Sequence, residues 1–268
     1  MEYYFIGDAG IDYYTNENEK LLGGCSLNAI THFKKNSSAS ASLVTPFSDC
    51  LHSQAIRNHC ESIEAGLYPL MRTQPLPIQE IEVLDTGEKN FLKYRTDILD
   101  NFEFYSDEVE FLKSIRGNII SPLYCQNLGF IDQLIKLCPE SSFHFDFHDA
   151  QDFDSNPLKI TPYLQLCDFA QFGLDEHQVE LEYFLVEFSR HNNIEIVITK
   201  GSDRITYLKG QQRIDITPEK LTSVVDSTGA GDSFLGAFLA HKTSEPIDKA
   251  LTLAAEYAKE TLKHRGAF

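Results

Sequence analysis

Two aspartates and three small residues stand close together late in the chain, in the stretch D-S-T-G-A-G-D-S-F from Asp226 to Phe234. An apolar run over residues 221–225 precedes it and G-A-F-L-A follows it, so we predict that a strand leads into a helix here. Backbone N–H groups at the start of a helix lack partners within the helix. Together with the helix dipole, they favour a bound anion.

The residue types in this stretch suit the transfer of a phosphoryl group to an alcohol. Small side chains let the backbone of residues 229–231 approach a ligand closely and stabilise developing negative charge. Asp232, just inside the predicted helix, could accept the proton of a hydroxyl group aimed at the same point. The alternative is an ordinary capped helix N-terminus, where Asp and Gly are both common. The stretch is not a Walker A loop, because G-x-x-x-x-G-K-[ST] is absent.

Composition narrows the classes of partner. The chain has 268 residues and a formal net charge of -17. Nucleic acid and anionic membranes require a basic surface, so neither is predicted as a partner. The six cysteines show no C-x-x-C spacing, which favours reduced thiols over disulfides or zinc. Without a signal-peptide pattern or a run of about 18 apolar residues, the sequence predicts a cytoplasmic protein.

The order of the predicted elements indicates the fold class. Apolar strand-like runs alternate with helical patterns, which is typical of an α/β protein with a mainly parallel sheet and crossover helices. The predicted strands are 2–8, 41–47, 118–121, 142–147, 167–172, 194–199, 204–208 and 212–216. The predicted helices are one ending near Asn36, 49–60, 106–116, one capped by Asp175, and two packed near the end of the chain, around Gly236 and Ala254.

Residues 75–94 interrupt this alternation. I-Q-E-I-E-V-L alternates apolar and acidic residues, D-T-G-E at 85–88 predicts a turn, and K-N-F-L-K-Y continues the pattern. The segment is therefore predicted to form a β-hairpin, either a small lid or an ordinary surface hairpin.

D-S-T-G-A-G-D-S-F closely resembles the C-terminal signature of the ribokinase-like (PfkB) carbohydrate kinases, D-[TS]-x-G-A-G-D. Gly23-Gly24 followed by Asn28 resembles the N-terminal G-G-x-x-x-N of that family, and Thr199 to Gly201 resembles its T-x-G segment. The middle of the chain is most similar to fructoselysine 6-kinases. The resemblance implies a three-layer α/β/α sandwich with a small β lid. It also implies a single domain over 1–268, with the lid contributed by about 10–20 and 72–97.

The resemblance also implies a role for each matching residue. Asp232 would be the catalytic base, with an anion hole made by the backbone of Gly229, Ala230 and Gly231. Asp226 would help to position the phosphate and a monovalent cation. The predicted substrate-binding residues are Asp8, Asp12, Gly23, Gly24 and Asn28, and the predicted nucleotide-binding residues are Thr199, Gly201, Asp226 and Ala255. No residue is assigned as a metal ligand.

The implied activity is the ATP-dependent transfer of a phosphoryl group to a hydroxyl of a sugar or a sugar-amine resembling fructoselysine. ATP and Mg²⁺ are the implied cofactors, with a monovalent cation as a further candidate, and a homodimer through the lid is a hypothesis. Two alternatives stay open: a catalytically impaired sugar-binding or regulatory protein on the same fold, and a nucleoside kinase.

The sequence departs from the family pattern in two places. An N-x-x-E segment that organises Mg²⁺ is missing, and A-Q-F-G-L-D-E-H, with Gln171 and Glu176, stands in its place. Lys200 and Arg204 occupy a segment where small residues are common, so they could either attract ATP or obstruct it.

Two other groups of residues could do chemistry. On a strand, His144, Asp146 and His148 would share one face, which permits a metal site. The favoured interpretation is that His144 packs in the core and Asp146 marks a strand end that faces the active site. Cys25 and Cys125 are interpreted as unreactive thiols rather than nucleophiles.

Overall fold

A computed structural model describes residues 2–84 and 89–268. Thirteen strands belong to two sheets within these residues. In chain order they are β1 (Tyr3–Ile6), β2 (Gly10–Tyr14), β3 (Glu19–Gly23), β4 (Ala41–Phe47), β5 (Gly66–Met71), β6 (Ile78–Val83), β7 (Lys89–Arg95), β8 (Asn118–Pro122), β9 (Ser142–Asp146), β10 (Phe169–Gly173), β11 (Glu195–Lys200), β12 (Arg204–Lys209) and β13 (Gln212–Ile216).

The nine-stranded main sheet has the order β13-β12-β11-β10-β9-β8-β1-β4-β5. Its neighbours pair in parallel from β5 across to β11, while β12 and β13 add an antiparallel edge. The helices are α1 (Cys25–Asn36), α2 (Leu51–Ser62), α3 (Ser106–Ser114), α4 (Leu128–Leu137), α5 (Pro157–Leu164), α6 (Val179–Asn192), α7 (Ala230–His241) and α8 (Ile247–Thr261). Among the described residues, no helix is long and apolar enough to span a membrane.

Helices cover both faces of the main sheet. Neighbouring side chains on a strand point to opposite faces, so Phe5 and Ile6 of β1 enter two separate apolar cores. The Ile6 core contains side chains of α3, α4, α5 and α6, and the Phe5 core contains side chains of α1, α2, α7 and α8. The predicted α/β class, with helices on both sides of a largely parallel sheet, is therefore confirmed.

A smaller second sheet, with the order β3-β2-β6-β7, is built from two distant parts of the chain. β2 pairs with β3 and β6 with β7 in antiparallel fashion, whereas β2 and β6 run parallel, with Ile11 opposite Ile78. The hairpin expected from the alternation at 75–94 thus consists of β6 and β7. The turn predicted at 85–88 lies outside the described residues.

The predicted strand at 221–225 is wrong. Residues 217–229 carry no strand, and the backbone N–H of Val225 binds the carbonyl of Leu262, just after α8, at 2.9 Å. The apolar run therefore joins the end of a helix and not the edge of a sheet.

The helices α4 and α5 were not predicted from the sequence, and Asp175 does not cap α6 as predicted. α4 and α5 are short, and α5 contains Pro162, which weakens a helical pattern. α6 begins at Val179, and Asp175 instead accepts hydrogen bonds from the backbone of His177 and Gln178 in the preceding turn.

Candidate active site

A cavity of about 590 Å³ lies between the carboxyl ends of the parallel strands and the second sheet. Ligands gather at this edge in open α/β sheets. The residues predicted from sequence that line it are Asp8, Asp12, Gly24, Asn28, Thr199, Gly229, Gly231 and Asp232. Those that do not line it are Gly23, Gly201, Asp226, Ala230 and Ala255.

The D-S-T-G-A-G-D stretch brings Asp232 to the cavity at the start of α7. Gly229 precedes this helix with φ 71°, and a Cβ there would lie 2.6 Å from the Cβ of Ala267. Both the left-handed backbone and the crowding require glycine at this position. The helix N-terminus therefore faces the cavity, with the Asp232 carboxylate in its first turn.

Asn28 of α1 holds the Asp232 carboxylate by a hydrogen bond of 2.9 Å from Nδ2 to Oδ2. The two helices approach closely because Gly236 has no side chain; a Cβ there would lie 2.5 Å from the carbonyl oxygen of Ala29. Burial and, after it, the charge of Asp146 raise the pKa of Asp232 to about 6, against the opposing effects of His148 and of the bond from Asn28. Asp232 thus has the raised pKa that suits a general base near neutral pH.

Two further carboxylates lie deep in the same cavity. Asp12, on β2, is 5% exposed, and its Oδ2 has no partner in the described structure. Burial raises its pKa to about 8, against the opposing charge of Lys89. Gly23 lies on the neighbouring strand β3, two residues beyond Leu21, which is the register partner of Asp12. Any Cβ on Gly23 would collide with the Asp12 carboxyl group, so this glycine makes room for Asp12 without lining the cavity.

Asp8 follows β1 and is held from two sides. Its Oδ2 accepts hydrogen bonds from the backbone of Cys25 and from the hydroxyl of Tyr94, both at 3.2 Å, while Oδ1 has no partner in the described structure. Burial raises its pKa. The hydroxyl of Tyr94, on β7, also lies 3.3 Å from the hydroxyl of Tyr124, so the second sheet contacts the segment that follows β8, beside Asp8.

Asp226 is enclosed by protein donors and turned away from the cavity. It accepts hydrogen bonds from Tyr14 Oη at 2.7 Å, from Gly266 N at 3.0 Å and from Thr228 N at 2.9 Å. Burial acts to raise its pKa, but these bonds outweigh burial and the pKa is lowered. In this structure Asp226 ties the loop before α7 to β2 and to the segment after α8.

Of the predicted nucleotide-binding residues, some line the cavity and others do not. Thr199 lines the cavity near the end of β11, and Gly201 lies in the following turn with φ 50°. Ala255, on α8, packs against the Phe5 core. Lys200 and Arg204 both pair with Glu182 of α6, so a carboxylate already neutralises part of their charge.

The strand end that replaces N-x-x-E contributes one side chain to the cavity. Gln171 Nε2 donates to Gly231 O at 3.1 Å and to Asp146 Oδ2 at 3.4 Å, and its Oε1 has no partner in the described structure. Glu176 is exposed and does not line the cavity. The Gln171 amide and the Asp146 carboxylate are oxygen ligands of the type that Mg²⁺ accepts.

Two other groups of residues were considered for chemistry, the histidines and aspartate at 144–148 and the cysteines Cys25 and Cys125. His144 is buried beside Phe169, with ring centroids 5.6 Å apart, and Asp146 does face the cavity. The described residues hold no cluster of three metal-ligating side chains. Cys25 lines the cavity, but burial raises its pKa well above the usual value, which disfavours the reactive thiolate.

Sequence reasoning missed several cavity residues. Lys89, Phe91 and Tyr94 come from β7, and Tyr124 follows β8. The alternation of residue types that predicts β7 indicates that one of its faces is apolar. It does not indicate that Tyr94 on this strand contacts Asp8.

Residues 177–268, the C-terminal third of the chain, match the model of the pfkB family carbohydrate kinases. Fructosamine kinase FrlD of Bacillus subtilis is 23% identical over 273 residues, covering 100% of this chain and 93% of its own. A cytidine kinase of Thermococcus kodakarensis is 37% identical over 73 residues, a match that spans 26% of each chain.

Two solved structures have the same fold. Adenosine kinase from Sinorhizobium meliloti superposes with a TM-score of 0.78 at 14% identity, covering 99% of this chain and 94% of its own. Ribokinase from Thermotoga maritima superposes with a TM-score of 0.73 at 15% identity, covering 100% of this chain and 94% of its own. The fold is therefore ribokinase-like. The predicted resemblance to the PfkB carbohydrate kinases is confirmed, and with it the class of enzyme that the resemblance implies, an ATP-dependent kinase.

Proposed function

We propose that this protein transfers the γ-phosphoryl group of ATP to a hydroxyl group of a sugar or a sugar-amine. The observation that carries the proposal is the position of Asp232, a buried carboxylate in the first turn of α7, in a cavity it shares with Gly229 and Gly231. A base and an anion-binding backbone at one point are what in-line phosphoryl transfer to an alcohol requires.

In this mechanism Asp232 takes the proton from the attacking hydroxyl, and Asn28 keeps its carboxylate oriented. The N–H groups of residues 229–231 stabilise the charge that develops on the transferring group. Asp8 and Asp12 each present an oxygen that has no partner among the described residues, and these oxygens would accept hydrogen bonds from other hydroxyls of the acceptor.

ATP would lie beside Thr199, with its γ-phosphate toward Gly229. Mg²⁺ bound to ATP supplies positive charge that neutralises the phosphates. Gln171 Oε1 and Asp146 would hold it, through water, in place of the missing N-x-x-E segment. A monovalent cation near Asp226 stays a prediction.

The second sheet would act as the lid of this cavity. β2, β6 and β7 all contribute lining residues, so the sheet can exclude water from the acceptor and limit hydrolysis of ATP. A homodimer through this sheet stays a prediction.

The test is ADP release with Mg-ATP against sugar-amines, free hexoses, ribose and nucleosides, with Asp232→Asn beside the native chain. We expect turnover of a sugar or sugar-amine, and a loss of roughly 10²–10⁴-fold in Asp232→Asn, because an amide cannot accept the proton. Ligand-dependent thermal shifts check that the variant still folds and binds. Asp168→Asn is a matched control, since Asp168 lies at the opposite, amino end of β10.

Two outcomes would contradict the proposal. A folded protein that binds ATP or a sugar without releasing ADP would be a sugar-binding or regulatory protein, in keeping with the exposed position of Glu176. Turnover of nucleosides alone would make it a nucleoside kinase.

A further inference from the structure

The strand β2 of the second sheet connects to both ends of the proposed site. Side chains two positions apart on a strand leave the same face, so Asp12 and Tyr14 point to the same side of β2. Asp12 lines the cavity, whereas Tyr14 is fully buried and does not line it. The Tyr14 hydroxyl donates a hydrogen bond of 2.7 Å to Oδ2 of Asp226. The second sheet is therefore attached to the loop before α7, which forms the proposed anion site.

Asp226 connects Tyr14 to the backbone beside Gly229. While its Oδ2 accepts the bond from Tyr14, its Oδ1 accepts a bond of 2.9 Å from the backbone N–H of Thr228. Thr228 directly precedes Gly229, and both residues line the cavity. The orientation of the backbone at 228–229 thus depends on where the Asp226 carboxylate is held.

The charge of Asp226 makes this contact important for a bound phosphate. Asp226 is fully buried; burial acts to raise its pKa, but its hydrogen bonds outweigh burial and keep it ionised. A buried carboxylate and a phosphate are both anions, so they compete for the same N–H groups. Tyr14 and Gly266 satisfy Oδ2 with donors from outside the cavity lining, which leaves more of the loop's N–H groups to the phosphate.

Tyr14 is itself held from a second direction. The Arg265 guanidinium lies 5.1 Å from the centre of the Tyr14 ring and pairs with Glu17 at 2.9 Å. Arg265 directly precedes Gly266, whose N–H donates to Asp226 at 3.0 Å. The Tyr14 ring therefore packs against the segment that supplies the other donor to Oδ2, and its hydroxyl has a defined position.

We propose that Tyr14 is a positioning residue for phosphoryl transfer, which orients the backbone at 228–229 toward the γ-phosphate through its bond to Asp226. The inference rests on the proposed kinase function and deepens it, because it makes the second sheet part of the phosphate site as well as a cover for the acceptor. Tyr14 does not touch the substrates. It acts by keeping the Asp226 carboxylate from competing with the phosphate.

The test compares two nucleotides that differ in the γ-phosphate, Mg-ADP and the non-hydrolysable Mg-AMP-PNP. Calorimetric titration gives both dissociation constants for the native chain and for Tyr14→Phe, which removes the hydroxyl and keeps the ring. We expect Tyr14→Phe to weaken AMP-PNP binding by about 10-fold and to leave ADP binding nearly unchanged, because a hydrogen bond to a charged group is lost. The matched control is Tyr163→Phe, since Tyr163 also donates to an aspartate, Asp132, at 3.2 Å and does not line the cavity.

A second pair of variants tests whether Tyr14 acts through Asp226. Asp226→Asn removes the charge, so adding Tyr14→Phe to it should change the ratio of the two dissociation constants by less than about 3-fold. This pair also serves if the unpaired charge makes the single variant Tyr14→Phe too unstable to study. An undiminished effect of Tyr14→Phe beside Asp226→Asn would overturn the inference.

Two further results would count against it. An equal loss of affinity for both nucleotides in Tyr14→Phe would mean that the hydroxyl only supports the fold, and an unchanged ratio with both nucleotides bound would mean that it does not act on the γ-phosphate. Either result leaves the kinase proposal intact. A native chain that binds neither nucleotide would contradict that proposal and this inference together.

Discussion

At the scale of single residues, the surroundings of Asp232 determine the pKa of its carboxyl group. Asp232 would be an ordinary carboxylate in water, and burial together with the charge of Asp146 raises its pKa to about 6. A protonated carboxyl group cannot act as a base, so kcat/KM should fall as the pH decreases through this region.

Replacing Asp146 with Asn should therefore shift the acidic limb of the pH–rate profile. Removing the negative charge lowers the pKa of Asp232, so the limb moves to lower pH. The measurement is kcat/KM for the acceptor between pH 4.5 and 8.5 at saturating Mg-ATP, with Asp168→Asn as the control. A limb that stays in place in Asp146→Asn would mean that another group is the base.

At the scale of elements, the site depends on how closely α1 and α7 pack. Gly236→Ala would place a Cβ 2.5 Å from the Ala29 carbonyl oxygen and 2.7 Å from the Phe33 nitrogen. Alanine favours helices, but overpacking typically costs about 1–3 kcal/mol and would push Asn28 away from Asp232. We expect a Tm lower by several degrees and a lower kcat.

Gly129→Ala is the matched control for this substitution. Gly129 also lies in a helix, α4, and a Cβ there meets no atom within 4 Å. This variant should be at least as stable as the native chain. If both variants melt alike, the close approach of α1 and α7 does not limit stability.

Local sequence patterns predicted much of the element order. The strand at Ala41–Phe47 was predicted with its observed bounds, because a β-rich apolar run is buried on both faces of the sheet. The run at 221–225 has a similar composition, and its backbone bonds instead to Leu262, a contact that no local pattern contains.

The candidate site was predictable only where a motif marks the chain. Glycines and aspartates at 226–232 indicated an anion site, and the resemblance of Gly23-Gly24 with Asn28 to a family motif indicated substrate-binding residues, of which Gly24 and Asn28 line the cavity. The bond from Tyr94 to Asp8 joins residues 86 positions apart, and the enclosure of Asp226 by Gly266 also depends on tertiary structure.

At the scale of the whole molecule, the buried acids of the cavity make stability depend on pH, because burial disfavours their charged forms. The pKa of Asp12 is about 8 in the folded protein and near 4 when unfolded. The folded state therefore binds the proton more tightly, and this contribution to stability is complete below pH 4 and is lost as the pH rises through 8. Asp12→Asn lacks the ionisable group and should not show this loss.

The measurement is the Tm of Asp12→Asn and of the native chain between pH 5 and pH 8 without ligands. The variant should gain on the native chain by several degrees over this range, since 1 kcal/mol corresponds to about 2–4 °C for a protein of this size. A constant difference at all pH values would show that Asp12 does not titrate in this window.

The second sheet also bears on the order in which the chain folds. Its parallel pair joins residues 11 and 78, and the segment between them supplies α1, β4, α2 and β5 of the main layer. Closing so long a loop costs conformational entropy, and the contacts of the small sheet alone do not compensate for it. We therefore expect α1, β4, α2 and β5 to fold before β2 pairs with β6. The cover of the cavity would then be the last part to assemble and the first to exchange its amide hydrogens with solvent.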